Sequence, residues 1–439
     1  MSRVLLIAPT YYSDYEQTDV YFPMPPISLA YIGACLLKAG HEAKILDVLG
    51  RMALVKKTIE EFKPDIVGIQ CYTTGYSEFK RTVSEIKTYY NGLIVAGGPH
   101  ITAIGENDLP VDYFVSGEGE EVMVKLANGW RPEKRLIEAE IIKDLDALPF
   151  PAWHLIEMQL YKNEPRMSFI GSRGCPYKCI FCFDCHRWTG TRFRDPEKIV
   201  EEIEEFYRTY KNKKIYFMDD TFVLNPGRIK RLADLLEGKG FELSINGRCN
   251  LMTDELCKDL KRMGVKDVYL GVESGNQRLL DLINKNQTVE QIINSLELCK
   301  KYGFHVTAFM LMNLPTQTRE EIKSDLEFSK MIIRKHKVIV DYSILYCYPN
   351  TPVFKMLGRE IKDWSAEQHK WRYPNVPIWE EPGKSKEEMI ELYRKICMEI
   401  NWVQTSIMKK PTAIVKYILR NAYRKTAILL NPDKKFGSR

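Results

Sequence analysis

The sequence contains no apolar run of about 18 residues, which is the length that a membrane-spanning helix needs. Its first residues, Met1 to Pro9, are too short an apolar stretch for a secretory signal peptide, and they predict a strand instead. Low-complexity segments are missing too, and a composition of 45% apolar and 28% charged residues excludes disordered, collagen-like and coiled-coil chains. We therefore expect a folded cytoplasmic protein, and its 439 residues are enough for roughly three domains.

A disulfide framework is also disfavoured, because the eleven cysteines are odd in number and the sequence predicts no secretory leader. Four of these cysteines, Cys175, Cys179, Cys182 and Cys185, fall within eleven residues. In a reducing compartment, such a cluster predicts a metal centre.

The first third of the chain alternates short runs of Val, Ile and Leu with amphipathic segments. Buried parallel strands have this composition, and strands that alternate with helices form a doubly wound sheet. A segment with two prolines, Pro149 and Pro151, then breaks the alternation and predicts a linker. The predicted strands are residues 3–8, 43–48, 66–70, 93–96 and 113–116.

Strands and helices alternate again from residue 167 onward. The predicted strands are residues 167–172, 214–218, 242–246, 267–272, 305–311 and 340–346. Six such units fall short of the eight of a full barrel, so we expect a partial (β/α)6 barrel. The fold class is therefore α/β. It comprises a Rossmann-like domain at 1–140, a linker at 141–166, the barrel at 167–355 and a helical C-terminal region at 356–439.

The cysteine cluster has the spacing CxxxCxxC over Cys175, Cys179 and Cys182, directly after a predicted strand. Three thiolates in one loop can hold three irons of a [4Fe–4S] cluster and leave the fourth iron open to the amine and carboxylate of a substrate. Three alternatives stay open. They are a zinc site that uses Cys182, Cys185 and His186, a four-cysteine cluster completed by Cys185 that only transfers electrons, and unligated cysteines.

This spacing, with Phe181 before the third cysteine, resembles the radical S-adenosylmethionine (SAM) superfamily. The resemblance covers residues 167–352, and it implies SAM contacts where the barrel strands end. The residues at these positions are Asp220, Asn246, Arg248, Glu273 and Met310. Each has a structural alternative: Asp219 and Asp220 as caps of the following helix, an ion pair between Glu273 and Arg248, and Met310 as a core residue.

The resemblance also implies the chemistry. A reduced cluster donates one electron to SAM, whose cleavage gives methionine and a 5′-deoxyadenosyl radical. This radical takes hydrogen from an unactivated C–H bond, so the cofactors perform the difficult step. A reductant such as ferredoxin or flavodoxin is the implied partner.

The N-terminal domain resembles that of the cobalamin-binding radical SAM enzymes. Residues 25–33 are similar to the start of that domain, and Thr73, Thr74, Gly97 and Gly98 match loosely the positions where the corrin and its nucleotide tail approach the backbone. The sequence lacks both GxGxxG and the Asp-x-His-x-x-Gly of cobalamin mutases, which implies cobalt without a protein imidazole. We expect His100 to be a surface or capping residue, with a contact to the nucleotide tail as the alternative.

The methylthiotransferase branch shares this domain order but needs three further cysteines near the N-terminus. Only Cys35 and Cys71 precede the linker, and we expect both to lie in the core. Cys347, where the last barrel strand ends, is likewise predicted to be a core cysteine, with hydrogen donation as the alternative.

The end of the chain is basic. Residues 401–439 carry nine Lys or Arg and one acid, Asp433. Lys416, Arg420 and Arg424 recur every four residues, as on one face of a helix. Two interpretations stay open: a helix that lies on anionic membrane lipid at the inner membrane face, and a solvated helix that packs on the barrel.

Together, these features predict a cobalamin-dependent radical SAM enzyme that methylates an unactivated carbon or phosphorus centre. Its cofactors are a [4Fe–4S] cluster, SAM and cobalamin, and its substrate is a small or lipid-like molecule rather than nucleic acid. The resemblance implies that two SAM molecules are used for each product. The alternatives are a radical SAM cyclase or rearrangement enzyme, with cobalamin as redox partner or absent, and a non-enzymatic iron–sulfur redox or sensing module.

Overall fold

The computed structural model describes residues 1–9, 24–161, 166–184, 190–356 and 385–407. Their contacts divide them into two compact units, Met1–Pro165 and the part from Arg166 onward, and each contains its own parallel sheet. Among the described helices, none is both long enough and apolar enough to cross a membrane. The domain limits 1–140, 141–166, 167–355 and 356–439 stay a prediction.

The first unit contains a six-stranded parallel sheet in the order β2-β1-β3-β4-β5-β6. The chain turns from one side of β1 to the other between β2 and β3, which confirms the predicted doubly wound fold. Only β6 has no predicted counterpart. The strands are β1 Arg3–Ala8, β2 Glu42–Asp47, β3 Ile66–Gln70, β4 Leu93–Gly97, β5 Tyr113–Ser116 and β6 Leu136–Glu138.

Five helices connect these strands, and each buries one face. The helix α1 starts within Pro25-Pro26-Ile27, where proline is tolerated because the first N–H groups of a helix have no partner within it. The helices are α1 Ile27–Lys38, α2 Ala53–Phe62, α3 Tyr76–Ile86, α4 Pro99–Ile104 and α5 Gly119–Ala127.

The residues between the two sheets pack on the first unit. Apart from short 3₁₀ turns, residues 141–161 form no regular element. The Ala152 N–H donates to the Ala30 carbonyl at 3.1 Å, and the Tyr161 hydroxyl donates to Asp47 at 2.5 Å. Residues 141–161 of the predicted linker are therefore held on α1 and β2 by hydrogen bonds from Ala152 and Tyr161.

The second unit contains six parallel strands in the order β14-β13-β12-β11-β10-β7, which confirms an open partial barrel. A short antiparallel pair, β8 and β9, lies beside it. The strands are β7 Met167–Phe169, β8 Ser172–Arg173, β9 Arg192–Phe193, β10 Lys214–Phe217, β11 Glu242–Gly247, β12 Val265–Glu273, β13 His305–Met312 and β14 Ile339–Ile344.

Alternate residues of these barrel strands differ in burial. Ile215, Ile245 and Val268 are fully buried on one face, whereas Tyr216, Tyr269 and Phe309 on the opposite face are partly exposed. We call the latter the inner face. It is the surface that a barrel encloses, because the helices cover the other side.

The helices of the second unit begin at well-formed caps. Asn225, Thr253, Thr288 and Thr318 each accept a backbone N–H from the first turn of the following helix. Asn225 therefore caps the helix that begins at Pro226, which was the structural alternative considered for Asp219 and Asp220. The helices are α6 Pro196–Tyr210, α7 Pro226–Leu236, α8 Asp254–Arg262, α9 Gln277–Leu282, α10 Val289–Tyr302, α11 Arg319–His336, α12 Pro352–Met356 and α13 Lys386–Ile407.

The last described helix covers the open edge of the barrel. β14 pairs with β13 on one side only, and α13 lies against its other side and against α11. The side-chain amide of Gln404 on α13 accepts from the Val340 N–H at 2.8 Å and donates to the Val340 carbonyl at 3.3 Å. This amide satisfies the two backbone groups that a further strand would have bound.

Candidate functional site

The three motif cysteines lie in one loop that follows β8 and precedes β9. Cys175 and Cys179 are buried and Cys182 is half-buried. Burial raises the pKa of the Cys175 thiol, and hydrogen bonds from the Tyr177 backbone and the Thr221 hydroxyl act in the opposite direction. A thiol ligand must lose its proton to bind metal, and bound metal drives this loss even where burial resists it.

Backbone hydrogen bonds fix this loop on its neighbours. The Ile180 N–H donates to the Ile283 carbonyl at 3.1 Å, and the Val353 N–H donates to the Ile180 carbonyl at 3.1 Å. The Asn284 side chain adds a bond to the Lys178 carbonyl at 2.8 Å. The loop is therefore held by the segments that follow α9 and begin α12.

An apolar cluster lies beneath the loop. Ile180 and Phe181 pack against it, which explains why an aromatic residue precedes the third cysteine. Cys347 is completely buried within this cluster, as predicted for a core cysteine. The cluster therefore supports the segment that joins Cys179 to Cys182. Its buried members are Leu279, Ile283, Leu314, Leu345, Cys347 and Val353.

Arg248, where β11 ends, reaches this loop directly. Its Nη1 donates to the Cys179 sulfur at 3.6 Å, and its guanidinium carbon lies 3.5 Å from the centre of the Tyr177 ring. The other guanidinium nitrogens donate to the Asn250 side chain and to the Lys285 carbonyl. The structure therefore places a fixed positive charge against one of the motif sulfurs.

Glu273, where β12 ends, pairs with Lys285 and not with Arg248. The Lys285 ammonium donates to the Glu273 carboxylate at 2.7 Å, and both side chains are buried. The alternative of a Glu273–Arg248 ion pair is therefore wrong, because Arg248 is directed at the cysteine loop. Lys285 also lies 6.0 Å from the Phe181 ring centre, so the pair adjoins the same loop.

The turn after β12 is held by Asp325 from α11. Its carboxylate accepts from the Ser274 hydroxyl at 2.8 Å and from the Gly275 N–H at 2.7 Å. Glu273 itself has φ of 68°, a left-handed conformation that costs free energy for a residue with a side chain. Asp325 thus stabilises the backbone that presents Glu273. Burial raises the pKa of Asp325 to about 6.

The two aspartates after β10 have different surroundings. Asp219 is buried and accepts from the Gly171 N–H at 2.7 Å and from the Ser172 hydroxyl at 2.5 Å. Asp220 is exposed, and the next residue, Thr221, lies 3.6 Å from the Cys175 sulfur. Asp219 is therefore structural, whereas Asp220 has its side chain at the surface close to the cysteine loop.

Two buried arginines fix the chain just before the cysteine loop. Arg228 donates to the Gly171 carbonyl at 2.8 Å and faces Asp219 at 3.7 Å. Arg194 donates to the Ile170 carbonyl at 3.1 Å and pairs with Glu202. Burial raises the pKa of Glu202 to about 7 although Arg194 lowers it. No motif pointed to this network, because its members come from separate elements.

Asn246 and Met310 are placed differently from each other. Asn246 lies on the inner face, accepts from the Tyr216 hydroxyl at 3.0 Å and donates to the Asp219 carbonyl at 3.0 Å. Met310 is completely buried on the opposite face of β13. A SAM contact by Met310 would therefore have to come from its backbone. The assignments of Asn246 and Met310 as SAM contacts stay predictions.

The inner face carries a row of aromatic rings. The Tyr216 and Tyr269 rings meet edge to face at 5.6 Å, and Tyr269 stacks on Phe309 at 6.0 Å between ring centres. Arg166 contacts the Tyr269 hydroxyl and lies 3.5 Å from the Asp267 carboxylate. The barrel interior is therefore aromatic along its wall and charged near the amino ends of the strands.

The predicted cofactor residues of the first unit meet at the carboxyl edge of its sheet. β3 and β4 are neighbours, so Thr73 and Thr74 after β3 lie beside Gly97 and Gly98 at the end of β4. Thr74 is exposed, and both glycines are partly exposed. A Cβ at Gly98, which has φ of 105°, would lie 2.8 Å from the Cys71 carbonyl. Only glycine fits this crossing of two backbones.

His100 is buried rather than exposed. Its Nδ1 lies 3.1 Å from the Thr73 hydroxyl, and its ring contacts Tyr76 at 4.8 Å between centres. Burial lowers the pKa of His100 to about 3, so the ring is neutral at physiological pH. The expectation of a surface or capping residue is therefore wrong, since this histidine links the ends of β3 and β4.

Comparisons with known proteins agree with this architecture. The sequence model of the radical SAM superfamily matches residues 169–329, and that of the B12 binding domain matches residues 18–127. An uncharacterized methyltransferase of Pyrococcus horikoshii, PH0819, is 30% identical over 80% of this chain and 82% of its own length. The chain belongs to the radical SAM superfamily. As a radical SAM enzyme with a B12-binding domain, it uses a [4Fe–4S] cluster, SAM and cobalamin.

Two further relatives extend the comparison. The anaerobic magnesium-protoporphyrin IX monomethyl ester cyclase of Rubrivivax gelatinosus is 26% identical over 93% of this radical SAM enzyme and 79% of its own length. The solved structure of the radical SAM methyltransferase TsrM from Kitasatospora setae shares the fold. Its TM-score is 0.73 at 15% identity, over 98% of this chain and all of that one.

The residues present fit these cofactors. Cys175, Cys179 and Cys182 form a soft donor set, of the kind that iron–sulfur clusters require, beside a buried cation. In the first unit, the exposed Thr74 and the partly exposed Gly97 and Gly98 lie beside the point where the strand order reverses, which is where such folds bind nucleotide-like ligands. Cys185 and His186, the residues of the alternative metal sites, lie outside the described residues.

Proposed function

We propose that this enzyme transfers a methyl group from SAM, by way of cobalamin, to an unactivated carbon or phosphorus centre. The proposal is supported by one observation above all, which is that a three-cysteine loop and a B12-binding domain occur in the same chain. The relative PH0819, described as a methyltransferase, adds support. When bound, the cluster and SAM supply a radical that activates the substrate, and cobalamin supplies a methyl carrier.

The residues of the chain bind and shield these groups. Cys175, Cys179 and Cys182 would hold three irons of the cluster, and Ile180 and Phe181 pack the loop against the apolar cluster. We assign SAM contacts to the ends of the barrel strands, which adjoin the cysteine loop. The residues are Asp220, Asn246, Arg248, Glu273 and the backbone at Met310. A single-electron donor of the ferredoxin or flavodoxin class is the implied reductant.

Cobalamin contacts are assigned to Thr73, Thr74, Gly97 and Gly98. Thr74 is exposed at this edge of the sheet, and glycines at positions 97 and 98 would allow a large ring system to approach the backbone. Neutral His100 contributes by fixing Thr73 in place.

The substrate is assigned to the inner face of the barrel. Phe309 has 37% of its surface exposed although it lies in the middle of an interior strand of the barrel sheet. Together with Tyr269 and Tyr216, it offers stacking surface to a small or lipid-like molecule.

The deciding experiment counts SAM-derived products. The enzyme is purified without oxygen, its cluster is reconstituted, and cobalamin is titrated by its visible spectrum. Candidate substrates are then assayed for methylated product, 5′-deoxyadenosine and S-adenosylhomocysteine. Methyl transfer predicts equal amounts of all three, because two SAM molecules are used per product. One SAM per product, with no S-adenosylhomocysteine, would refute it.

A pair of variants tests the cluster ligands. Cys182→Ala removes one of three proposed ligands, and we expect it to abolish the cluster absorbance and the bound iron. Cys185→Ala is the matched control and should leave both unchanged. Loss of the cluster in both variants would instead indicate four protein ligands and a cluster that only transfers electrons.

Ring formation is the second candidate, supported by the cyclase of Rubrivivax gelatinosus among the relatives. It predicts 5′-deoxyadenosine without methyl transfer in the same assay. A substrate that gains no methyl mass while SAM is cleaved would favour it.

We also propose that this protein is cytoplasmic and contacts an anionic membrane through its basic C-terminal end. At the end of α13, Met398 and Trp402 are 41% and 71% exposed and lie one helical turn apart, just before the basic residues. Exposed Trp beside Lys and Arg is typical of interfacial segments. Co-sedimentation with vesicles of anionic lipid, but not with neutral ones, is the expected result. Truncation after Ile407 should abolish it.

A further inference from the structure

Arg248 has an unusual environment for a buried cation. It is 5% exposed, and each polar group that it contacts in the described part of the chain is neutral or a cysteine sulfur. Among the residues that the structure describes, no carboxylate lies within ion-pair distance of its guanidinium. The nearby Glu273 is committed to Lys285.

Burying a charge without a partner is costly, so a buried guanidinium requires an anion close by. The group in that position is the Cys179 sulfur, 3.6 Å from Nη1. The Tyr177 ring and the Lys285 carbonyl fix the guanidinium in this orientation. The site is therefore built for negative charge on the cysteine loop, which thiolates bound to an iron–sulfur cluster provide.

We propose that Arg248 sets the reduction potential of the cluster. Reduction adds one electron, taken from an external donor, and raises the negative charge of the cluster by one without breaking a bond. A fixed cation and an N–H donor at a ligand sulfur stabilise that added charge and raise the potential. This role is independent of methyl transfer, since it concerns the cluster before any substrate binds.

The test compares three variants of the full chain with reconstituted clusters. Arg248→Gln removes the charge, Arg248→Lys retains it on a different donor, and Lys258→Gln removes the same charge from an exposed position on α8. Iron and sulfide are counted first. The fraction of reduced cluster is then read by its electron paramagnetic resonance signal during a redox titration without SAM.

We expect Arg248→Gln to keep its iron and to show about a tenfold lower ratio of reduced to oxidised cluster at a given solution potential. For a one-electron couple this corresponds to a midpoint about 59 mV more negative. The midpoint potential of Arg248→Lys should shift less, and that of Lys258→Gln should equal the wild-type value. If Arg248→Gln retains its full iron content and its cluster has an unchanged midpoint potential, the proposal is overturned.

A failed assembly is also informative. If Arg248→Gln binds no cluster, the midpoint potential of Arg248→Lys is compared with that of the wild type instead. The lysine amine cannot reproduce the planar guanidinium that lies over the Tyr177 ring. A midpoint in Arg248→Lys that lies below the wild type supports the proposal, and an identical midpoint overturns it. Wild-type protein without a cluster would instead contradict the cofactor assignment itself, so the two failures are distinct.

Discussion

The substitution Asp219→Asn tests how the cysteine loop is held. Asp219 is buried where β10 ends and accepts hydrogen bonds from the Gly171 N–H at 2.7 Å and the Ser172 hydroxyl at 2.5 Å. Its charge also balances Arg228 at 3.7 Å, with both side chains almost fully enclosed. Asparagine keeps the shape and an acceptor oxygen, but it removes the charge.

The structure sets the size of the effect. Removing one partner of a buried ion pair costs about 3–5 kcal/mol, because the other charge stays buried. Since the asparagine oxygen retains an acceptor, we expect the lower end, about 3 kcal/mol, or roughly a hundredfold in an opening equilibrium. The segment that opens contains Gly171 and Ser172, and it leads directly into Cys175.

Hydrogen exchange followed by mass spectrometry is the assay. We expect roughly hundredfold faster exchange in the peptide that contains Gly171, together with less iron retained under mild chelation. Asp220→Asn is the matched control, because it makes the same chemical change one residue away at an exposed position. Equal protection of this peptide in both variants would refute the reasoning.

Three further predictions concern the barrel. Lys285→Met should destabilise the second unit by about 3–5 kcal/mol in urea unfolding, because Glu273 stays buried and charged. The double variant that also carries Glu273→Gln should recover most of this lost stability. Asp325 has its pKa raised to about 6, so the folded state binds its proton more tightly and stability falls as pH rises from about 4 to about 6. Asp325→Asn should flatten that part of the pH profile of the protein without its cluster. Phe309→Ala should raise the KM for substrate with the cluster spectrum unchanged, whereas the remote Tyr302→Ala should not.

Much of the fold follows from periodicity in the sequence. The apolar run of β3 has its predicted limits, residues 66–70, because every residue in it is buried. β6 was missed because three residues, Leu136–Glu138, carry too little pattern to show period two. Its identity as a strand depends on pairing with β5, which the sequence does not record.

In the candidate site too, the sequence predicts the residues that belong to a local motif and misses those that act through contacts between distant segments. The cysteines share one loop, so their spacing alone predicts them, whereas Lys285 lies in a connection with no motif and acquires its role by meeting Glu273. Asp325, on α11, is an ordinary surface-helix acid in the sequence and a buried acceptor in the fold. Residues that act through contacts between distant segments leave no local signal. His100 belongs to this group, since its burial depends on Thr73 and Tyr76.

The amide of Gln404 has a consequence for how the barrel can be shortened or recombined. An uncovered strand edge is a template for pairing with another chain, and a partial barrel has such an edge by construction. In this protein, one side chain on α13 occupies the hydrogen-bonding groups of Val340 and thereby blocks that template. A chain cut before Lys386 would keep all six barrel strands yet expose β14 to its own copies. We therefore expect α13 to protect the protein from self-association, and engineered fusions should retain this helix even where its residues contact no cofactor.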